Sequence, residues 1–360
     1  MKKISTVFLT IILAIIFGFS AGLSGFIILS VNSFKLPLIG QVLFTDFGEN
    51  QQVVIDQPRT VVIKQDEQIK QIENSLLPAL LNIYQPASGA TALSQAYNRS
   101  DVLGQGFILT ADGWFVAPLS AIINLKDKYA IIGYQNKKYL ADKFVADKLT
   151  GVVFGKFSAG NLPVASIGKS RDLTVGQTVA LISQRTKIDI THINKIGYGF
   201  PTANSLILNS DRPQKGIFLD LPLNNEHNGA VLANLKGEII GLISGDQVIP
   251  VDYFSQLISQ VLNGQSISRP ALGVSYLDLA QVEGLIDRGD KGALVVAEPL
   301  KGTAASGQVK NGDIIKKIND SELNAYRGLA EVISDYKTGD EVELTIKRQD
   351  KDLSVKVVLK

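Results

Sequence analysis

Cysteine and histidine, the side chains of thiol catalysis and of many metal sites, are scarce in this sequence. The 360 residues include no cysteine and only two histidines, His192 and His227. Without cysteine, the chain can have no disulfide, no cysteine-ligated zinc, no iron–sulfur cluster and no thiol catalysis. Two histidines are also too few for a histidine-rich metal site. The sequence therefore predicts neither a metal ion nor any other cofactor.

Each histidine has a plain structural interpretation. His192 lies in 190–194, where polar and apolar residues alternate, and this pattern predicts the polar face of a strand. His227 lies in the polar run Glu226-His-Asn-Gly229, and we expect it at the surface of a loop. Asp112-Gly113 is typical of a hairpin turn, so Asp112 is not predicted to be a carboxylate of a mechanism.

Composition and charge limit the possible classes of protein. The 36 basic and 34 acidic residues nearly balance and give a formal net charge of +2. Nucleic-acid binders usually concentrate positive charge on one domain or stripe, so this balance argues against nucleic acid as a partner. Apolar residues make up 45% of the chain, enough to build hydrophobic cores, and the length predicts two or three domains.

The N-terminal segment is strongly apolar. Lys2 and Lys3 precede a stretch without charge that lasts until Lys35, and its part 4–31 is long enough to cross about 30 Å of hydrocarbon as a helix. We therefore expect an uncleaved transmembrane anchor within 1–32; the small residues Ser20-Ala-Gly22 leave a cleaved signal peptide as the alternative. The positive N-terminal side predicts a cytoplasmic N-terminus and a periplasmic or extracellular bulk. A cysteine-free envelope protein fits a bacterial setting.

Hydrophobic periodicity divides the rest of the chain into segments. We interpret 33–67 as a spacer with one or two short strands, and the apolar spacing in Asp66–Tyr84 predicts a helix. From about Leu103, short β-type runs separated by glycines predict a β-barrel or sandwich. Beyond the β-rich part we expect a short helix over Tyr253–Leu262, a linker over 263–270, and a small α+β domain with one helix near 326–336. The predicted fold class is mostly β.

Several of these blocks resemble the HtrA (Deg) family of trypsin-like proteases of the cell envelope. They occur in the family's order and spacing over roughly 68–360. Gly104–Ala117 (GQGFILTADGWFVA) is similar to the start of the family's first barrel, and Val145–Phe154 (VADKLTGVVF) is similar to its aspartate segment. Leu162–Ile182 is similar to the strand pair that opens the second barrel, and Asp220–Gly241 is similar to the nucleophile loop. Ala271–Val274 and Val309–Asn319 are similar to parts of the PDZ domain. This ordered set is far more specific than a single Gly-x-Gly-Phe motif.

The resemblance implies a domain organisation. A chymotrypsin-like double β-barrel is expected over 68–264, and a linker with an α+β PDZ domain over 265–360. One anchor, one protease-like domain and one PDZ domain are most similar to the membrane-anchored stress-sensor (DegS-like) branch of the family. The resemblance also implies trimers formed through the protease domains.

Carried over position by position, the family's catalytic triad falls on residues that lack its chemistry. A serine protease needs a hydroxyl nucleophile, an imidazole base and a carboxylate that orients the base. The resemblance assigns the base position to Ser120, the carboxylate position to Gly151 and the nucleophile position to Asn228. Glu226 replaces the glycine that borders the oxyanion hole. This degenerate triad predicts a pseudoprotease; a shifted Ser–His pair that uses His227 is the alternative.

The PDZ-like segment keeps the residues that its binding chemistry requires. PDZ domains add an extended peptide to a sheet edge, and backbone N–H groups of a short loop capture the terminal carboxylate. The resemblance assigns peptide binding to Leu272, Gly273 and Val274 in this loop, and to Leu329 on the helix of the far wall. The apolar loop residues predict a hydrophobic C-terminal residue in the ligand. The alternative is a domain that only packs against the barrel.

Together these features predict a membrane-anchored, HtrA-like pseudoprotease that acts as an envelope sensor, scaffold or chaperone-like factor. Its expected partners are C-terminal peptides or unfolded envelope proteins, bound through the PDZ domain. Two alternatives stay open. One is a serine endopeptidase of the HtrA family with a rearranged site, and the other is a regulatory subunit that assembles with an active relative in place of a homo-trimer.

Overall fold

The chain forms two units, 1–63 and 64–360, and each is described by itself. The computed structural model describes residues 12–21, 65–89, 91, 95–199, 206–282, 284 and 291–360. In the first unit, residues 12–21 form a helix, α1, that is exposed throughout. Across the described residues, no helix has both the length and the apolar character needed to cross a membrane. The remainder of the predicted anchor, and the strands predicted at 52–55 and 60–64, lie outside the described residues.

The first barrel is built from the short, glycine-separated runs that the sequence predicts as strands. Its members are β1 Leu80–Tyr84, β2 Gly104–Ile108, β3 Trp114–Pro118, β4 Tyr129–Ile132, β5 Lys138–Asp147 and β6 Val152–Phe157. They close in the order β1-β2-β3-β6-β5-β4, with every neighbouring pair antiparallel. Phe115, Tyr129 and Phe157 are buried in its interior, where aromatic side chains remove a large apolar area from water.

A second closed barrel follows. It consists of β7 Thr178–Ser183, β8 Lys187–Gly197, β10 Gly216–Leu219, β11 Val231–Ala233, β12 Ile239–Ser244 and β13 Gln247–Pro250, in the order β10-β13-β12-β11-β7-β8. A further short strand, β9 Leu208–Asn209, lies in the connection between β8 and β10 but outside this barrel. The two barrels share one apolar cluster that includes Phe107, Leu242 and Phe254.

The strand register brings candidate positions to the ends of the strands. Pro118 at the end of β3 lies opposite Val152 at the start of β6. Beyond this pair, the Leu119 N–H donates to the Gly151 carbonyl oxygen at 2.7 Å. A 3₁₀ turn over Leu119–Ala121 then leads Ser120 out of the strand. In the second barrel, a 3₁₀ turn over Asn225–His227 precedes Asn228 and β11.

The C-terminal part of the chain forms one antiparallel sheet with a short helix. Its strands are β14 Ser275–Asp278, β15 Ala293–Val295, β16 Ile314–Ile318, β17 Ser321–Glu322, β18 Glu341–Arg348 and β19 Lys351–Val358. The sheet order is β19-β18-β16-β15-β14-β9, with β17 paired to β16. Its apolar cluster includes Leu329 and Val332 from the helix α5 Leu329–Ile333. β9, which belongs to the connection within the second barrel, thus forms one edge of this sheet.

The predicted mostly-β fold class is confirmed, whereas the predicted helix lengths are wrong. Helix α2 Gln65–Leu76 is followed by a 3₁₀ turn over Leu77–Ala79 and then by β1, so the predicted helix over Asp66–Tyr84 is correct only in its first part. Pro78 lies in the turn, where the lack of an N–H is tolerated. The helix expected at Tyr253–Leu262 is divided into α3 Asp252–Ser255 and α4 Leu257–Leu262. The last predicted helix is shortened to α5.

Candidate functional site

The base and nucleophile positions inferred for a triad contact each other between the two barrels. Ser120 Oγ donates a hydrogen bond to Asn228 Oδ1 at 2.9 Å. The same oxygen accepts the Gly245 N–H at 3.4 Å, while Asn228 Nδ2 donates to the Leu103 carbonyl oxygen at 3.2 Å. The Asn228 carbonyl oxygen accepts the Gln105 N–H at 3.0 Å. Asn228 therefore connects the second barrel to the start of β2, using both ends of its side-chain amide.

The carboxylate position holds a glycine in a left-handed backbone conformation. Gly151 has φ +73°, and a Cβ there would meet open space. The buried Asp147, four residues earlier, is bound elsewhere: its Oδ2 accepts from Arg269 Nη2 at 2.5 Å and from the Thr150 hydroxyl, and its Oδ1 accepts the Leu149 N–H at 3.3 Å. Asp147 thus serves the linker and its own turn rather than Ser120.

The backbone N–H groups of the nucleophile loop are used inside the loop itself. In a serine protease the N–H groups of the nucleophile and of the residue two positions before it bind the oxyanion. Here the Glu226 N–H donates to Asn224 Oδ1 at 3.0 Å, and the Asn228 N–H donates to the Asn225 carbonyl oxygen at 3.1 Å. Neither position presents a free donor to a reacting carbonyl.

The two histidines have structural roles, and one of them differs from expectation. His227, predicted at the surface, is only 8% exposed, because its Nδ1 accepts the Asn224 N–H at 3.2 Å and closes a capping box. The Ser120 hydroxyl donates to Asn228 rather than to His227 in this structure. His192 is exposed on β8 as predicted, with its Nδ1 3.0 Å from Asp220 Oδ2. The His192 N–H, the Thr191 hydroxyl and the His192 ring lower the pKa of Asp220 to about 2.

A polar cleft of about 390 Å³ opens beside Asn228. Glu226, at the position that the family resemblance places beside the oxyanion hole, is one of the residues that line this cleft. The rest of the lining is also largely polar and includes Asn82, Arg99, Gln105, Gln184 and Asn225. The cleft therefore places one carboxylate, Glu226, and one guanidinium, Arg99, beside Asn228.

The predicted peptide-binding residues lie together beside the groove between β14 and α5. Leu272, Val274 and Leu329 are fully buried in one apolar cluster. Gly273 has φ +80°, and a Cβ there would lie 2.3 Å from Thr303 Cβ, so only glycine fits. The N–H groups of Leu272 and Gly273 converge on a single oxygen, Asp211 Oδ1, at 2.7 and 2.9 Å.

Asp211 and its neighbours are contact residues that the sequence interpretation missed. They lie in the connection between β8 and β10 of the second barrel. The Ser210 N–H donates to the Val274 carbonyl oxygen at 2.9 Å, and Ser210 Oγ accepts the Val274 N–H at the same distance. β9 pairs antiparallel with β14, with Leu208 opposite Tyr276. The available sequence signal was a short apolar run followed by Asn-Ser-Asp, which predicts a short strand and turn but names no partner.

Buried charged side chains bind the connection between β8 and β10 to the C-terminal domain. Lys215 Nζ lies 3.0 Å from Asp278 Oδ2, with side chains 2% and 5% exposed, and also donates to the Ala325 carbonyl oxygen at 2.9 Å. On α5, Glu331 Oε1 accepts the Lys215 N–H at 3.3 Å and lies 3.2 Å from the Tyr253 hydroxyl. Burial raises the pKa of the Tyr253 phenol well above its ordinary value, so the hydroxyl stays a donor. Each buried charge thus has a partner, as burial requires.

Comparisons with known proteins agree with this architecture. Residues 270–359 match the family model of the PDZ domain. A probable periplasmic serine endoprotease, DegP-like, from Halomonas elongata is 29% identical over 272 residues, which are 71% of this chain and 56% of that protein. A relative of the same description from Pseudomonas fluorescens is 28% identical over 277 residues, with the same two coverages. The chain thus spans little more than half the length of these curated relatives.

Solved structures give the same result for the fold. The HtrA-type protease AlgW with a tripeptide superposes with a TM-score of 0.56 at 18% identity, covering 81% of this chain and 97% of that one. AlgW with a decapeptide superposes with a TM-score of 0.54, at the same identity and coverage. The architecture is therefore a trypsin-like double barrel followed by a PDZ domain. The resemblance to the HtrA/DegP family of serine proteases that the sequence predicts is confirmed.

Proposed function

We propose that the chain is an extracytoplasmic, HtrA-like pseudoprotease that binds peptides or unfolded proteins through its PDZ domain. The hydrogen bond between Ser120 and Asn228 carries the proposal. A hydroxyl and an amide bind each other at the positions inferred for base and nucleophile, and neither group can do the work of an imidazole or an activated serine. The occupied N–H groups of Glu226 and Asn228 add support, since the oxyanion hole is the main source of residual catalysis when a triad is lost.

Three observations support the proposed peptide binding and the proposed extracytoplasmic location. The PDZ match is accompanied by a loop whose Leu272 and Gly273 N–H groups already hold a carboxylate. The PDZ-containing neighbour AlgW is described with bound tripeptide and decapeptide, and the DegP-like relatives are described as periplasmic. The apolar stretch 4–31 supports attachment to the membrane with a cytoplasmic N-terminus. Assembly into trimers, alone or with an active relative, is part of the same proposal and depends on the family resemblance.

A fluorescent, unfolded casein tests both halves in one experiment. We expect the repurified full-length chain to raise the polarisation of the labelled casein without releasing labelled fragments. Ser120→Ala and His227→Ala serve as matched variants, because any rearranged serine site would use one of them. Hydrolysis that survives repurification and disappears in either variant would contradict the pseudoprotease. Failure of casein to bind either this chain or a variant with Asp211→Ala, which removes the carboxylate held by Leu272 and Gly273, would contradict the binding function.

The curated relatives favour a second candidate, a serine endopeptidase with a rearranged site. The chain is 29% identical, over 71% of its length, to a protein described as a probable periplasmic serine endoprotease. The same casein experiment separates the two functions, because an endopeptidase must release fragments and a binding protein must not.

A further inference from the structure

The groove of the PDZ domain contains a segment of the protein's own chain. β9 is added antiparallel to β14, as PDZ domains add a peptide strand to their sheet edge. Leu208 is 6% exposed and belongs to the same apolar cluster as Leu272 and Leu329. Residues 208–211, which we call the latch, therefore lie where an external peptide is expected.

Asp211 occupies the place of a peptide's terminal carboxylate. Its Oδ1 accepts two successive backbone N–H groups, from Leu272 at 2.7 Å and Gly273 at 2.9 Å. Successive N–H groups directed at one oxygen form an anion-binding concavity, and hydrogen bonds to an ionised acceptor are among the strong ones. The carboxylate of a side chain thus meets the donors that would capture a chain end.

The latch is bound to the sheet side of the groove, and the residues that follow it are bound to the helix side. On the sheet side, Ser210 is fully buried and exchanges two hydrogen bonds with Val274. On the helix side, the residues that follow the latch are held instead: Glu331 Oε1 on α5 accepts the N–H groups of Gln214 and Lys215, both at 3.3 Å. An incidental contact of a surface loop would leave its polar groups in water. Here the PDZ domain binds the Ser210 backbone N–H, the Ser210 hydroxyl oxygen and the Asp211 carboxylate.

We propose that residues 208–211 are an internal ligand of the PDZ domain, and that outside peptides bind only by displacing them. The donors that hold Asp211 read a side-chain carboxylate, so the ligand class includes internal Ser-Asp segments in extended conformation as well as chain ends. The competition with outside peptides rests on the peptide binding proposed above. The contact between residues 208–211 and the PDZ domain does not. A chain with the latch closed keeps the groove unavailable, so the apparent affinity for an outside peptide is the intrinsic affinity multiplied by the fraction of molecules that are open.

Replacement of Asp211 tests the latch in the full-length chain. The probe is a fluorescent peptide with the sequence of 206–211, Leu-Ile-Leu-Asn-Ser-Asp, amidated so that the aspartate is its only carboxylate. We expect Asp211→Ala to bind it at least about tenfold more tightly than the unsubstituted chain, because two hydrogen bonds to a charged acceptor no longer hold the latch. Asp246→Ala, at an exposed turn, is the matched control and should behave as the unsubstituted chain. The same peptide with asparagine in place of aspartate should bind weakly to all three proteins. Equal affinity of Asp211→Ala and the unsubstituted chain for the aspartate peptide would overturn the latch.

Hydrogen exchange separates failure of the latch from failure of the proposed function. Without any peptide, the amides of Leu272 and Gly273 should exchange at least about tenfold faster in Asp211→Ala than in the unsubstituted chain or Asp246→Ala. Equal exchange in all three proteins would overturn the latch, whether or not peptides bind. Faster exchange without any peptide binding would support the latch and count against peptide capture.

Engineered disulfides give a reversible version of the same test, because the chain has no cysteine of its own. Asn209→Cys with Ser275→Cys joins residues directly opposite in β9 and β14, at a spacing that a disulfide can bridge. In the Asp211→Ala background, oxidation of this pair should abolish the gain in peptide affinity, and reduction should restore it. Thr345→Cys with Ser354→Cys, opposite in β18 and β19, is the control disulfide and should have no effect. Undiminished binding after oxidation of the β9–β14 pair would refute the proposal.

Discussion

At the scale of single residues, the position inferred for a nucleophile is a connector between barrels. The amide of Asn228 donates at one end to Leu103 and accepts at the other from Ser120 and Gly245. A serine hydroxyl has one proton and a shorter reach, so it could not replace these contacts together. The asparagine at position 228 is therefore explained by its contacts with Leu103, Ser120 and Gly245.

The first prediction concerns this connector. Asn228→Ser should lower the free energy of unfolding by about 1–3 kcal/mol, since it leaves partly buried donors and acceptors unpaired. Urea unfolding followed by circular dichroism measures the change. Asn263→Ser, at an exposed helix end, is the control and should stay within about 0.5 kcal/mol of the unsubstituted chain. An unchanged midpoint for Asn228→Ser would show that the connector contributes nothing.

At the scale of elements, the loop that follows β10 is attached to β8 at its first residue. The Asp220 N–H donates to the His192 carbonyl oxygen at 3.1 Å, and Asp220 Oδ1 accepts the His192 N–H at 3.0 Å. The Thr191 hydroxyl donates to the same carboxylate. These contacts favour the ionised form, and this is why the pKa of Asp220 falls to about 2 from its ordinary 3.8.

The depressed pKa of Asp220 predicts a pH dependence of stability. A carboxyl whose pKa is lower in the folded chain stabilises the fold above its unfolded pKa, and that contribution is lost as the pH falls through the folded value. Asp220→Asn should therefore lower the urea midpoint at pH 5, and its difference from the unsubstituted chain should shrink from about pH 4 towards pH 2. Asp246→Asn is the control. A difference that stays constant over this range would contradict the assigned role of the carboxylate.

Elements with a clear local pattern could be predicted from sequence, whereas contacts between distant segments could not. The glycine-separated strands were found because each carries its own apolar run and turn. The helix over Asp66–Tyr84 was extended too far because β1 is buried along its whole length, and an all-apolar run has no period that separates strand from helix. His227 was placed at the surface because a polar capping box in sequence does not reveal burial. The latch pairs two residues with a strand more than sixty positions away, and no local pattern records such a pairing.

At the scale of the whole molecule, buried rather than exposed charges join the second barrel to the PDZ domain. Arg171 Nη1 lies 3.1 Å from Asp335 Oδ2, with side chains 34% and 24% exposed, so water reaches this pair, and solvent-accessible pairs contribute about 0–1 kcal/mol. Lys215 and Asp278 are almost fully buried, and removal of one partner of such a pair typically costs about 3–5 kcal/mol. The buried pair therefore dominates this contact.

The linker makes a comparable contact with the first barrel. Arg269 Nη2 donates to Asp147 Oδ2 at 2.5 Å and to the Tyr253 carbonyl oxygen at 2.8 Å. We expect Arg269→Ala to lower the free energy of unfolding by about 1.5–3 kcal/mol, since it leaves the buried Asp147 carboxylate without its cation. Arg269→Lys, which keeps the charge, should recover part of the loss. Urea unfolding tests both, with the exposed Lys301→Ala as control; equal midpoints for Arg269→Ala and Lys301→Ala would refute this role.

Strand β9 also covers an edge of the PDZ sheet. An uncovered sheet edge is a template for aggregation, and proteins protect such edges with charge or with another segment. β19, at one edge of the PDZ sheet, carries Lys351, Asp352 and Lys356. β14, with the sequence Ser-Tyr-Leu-Asp, lacks this series of charges and is covered by β9 instead. When the latch opens, the edge of β14 becomes free to pair with a peptide. The same free edge can also pair with another copy of the chain, so peptide binding and resistance to aggregation both depend on the two-residue strand β9.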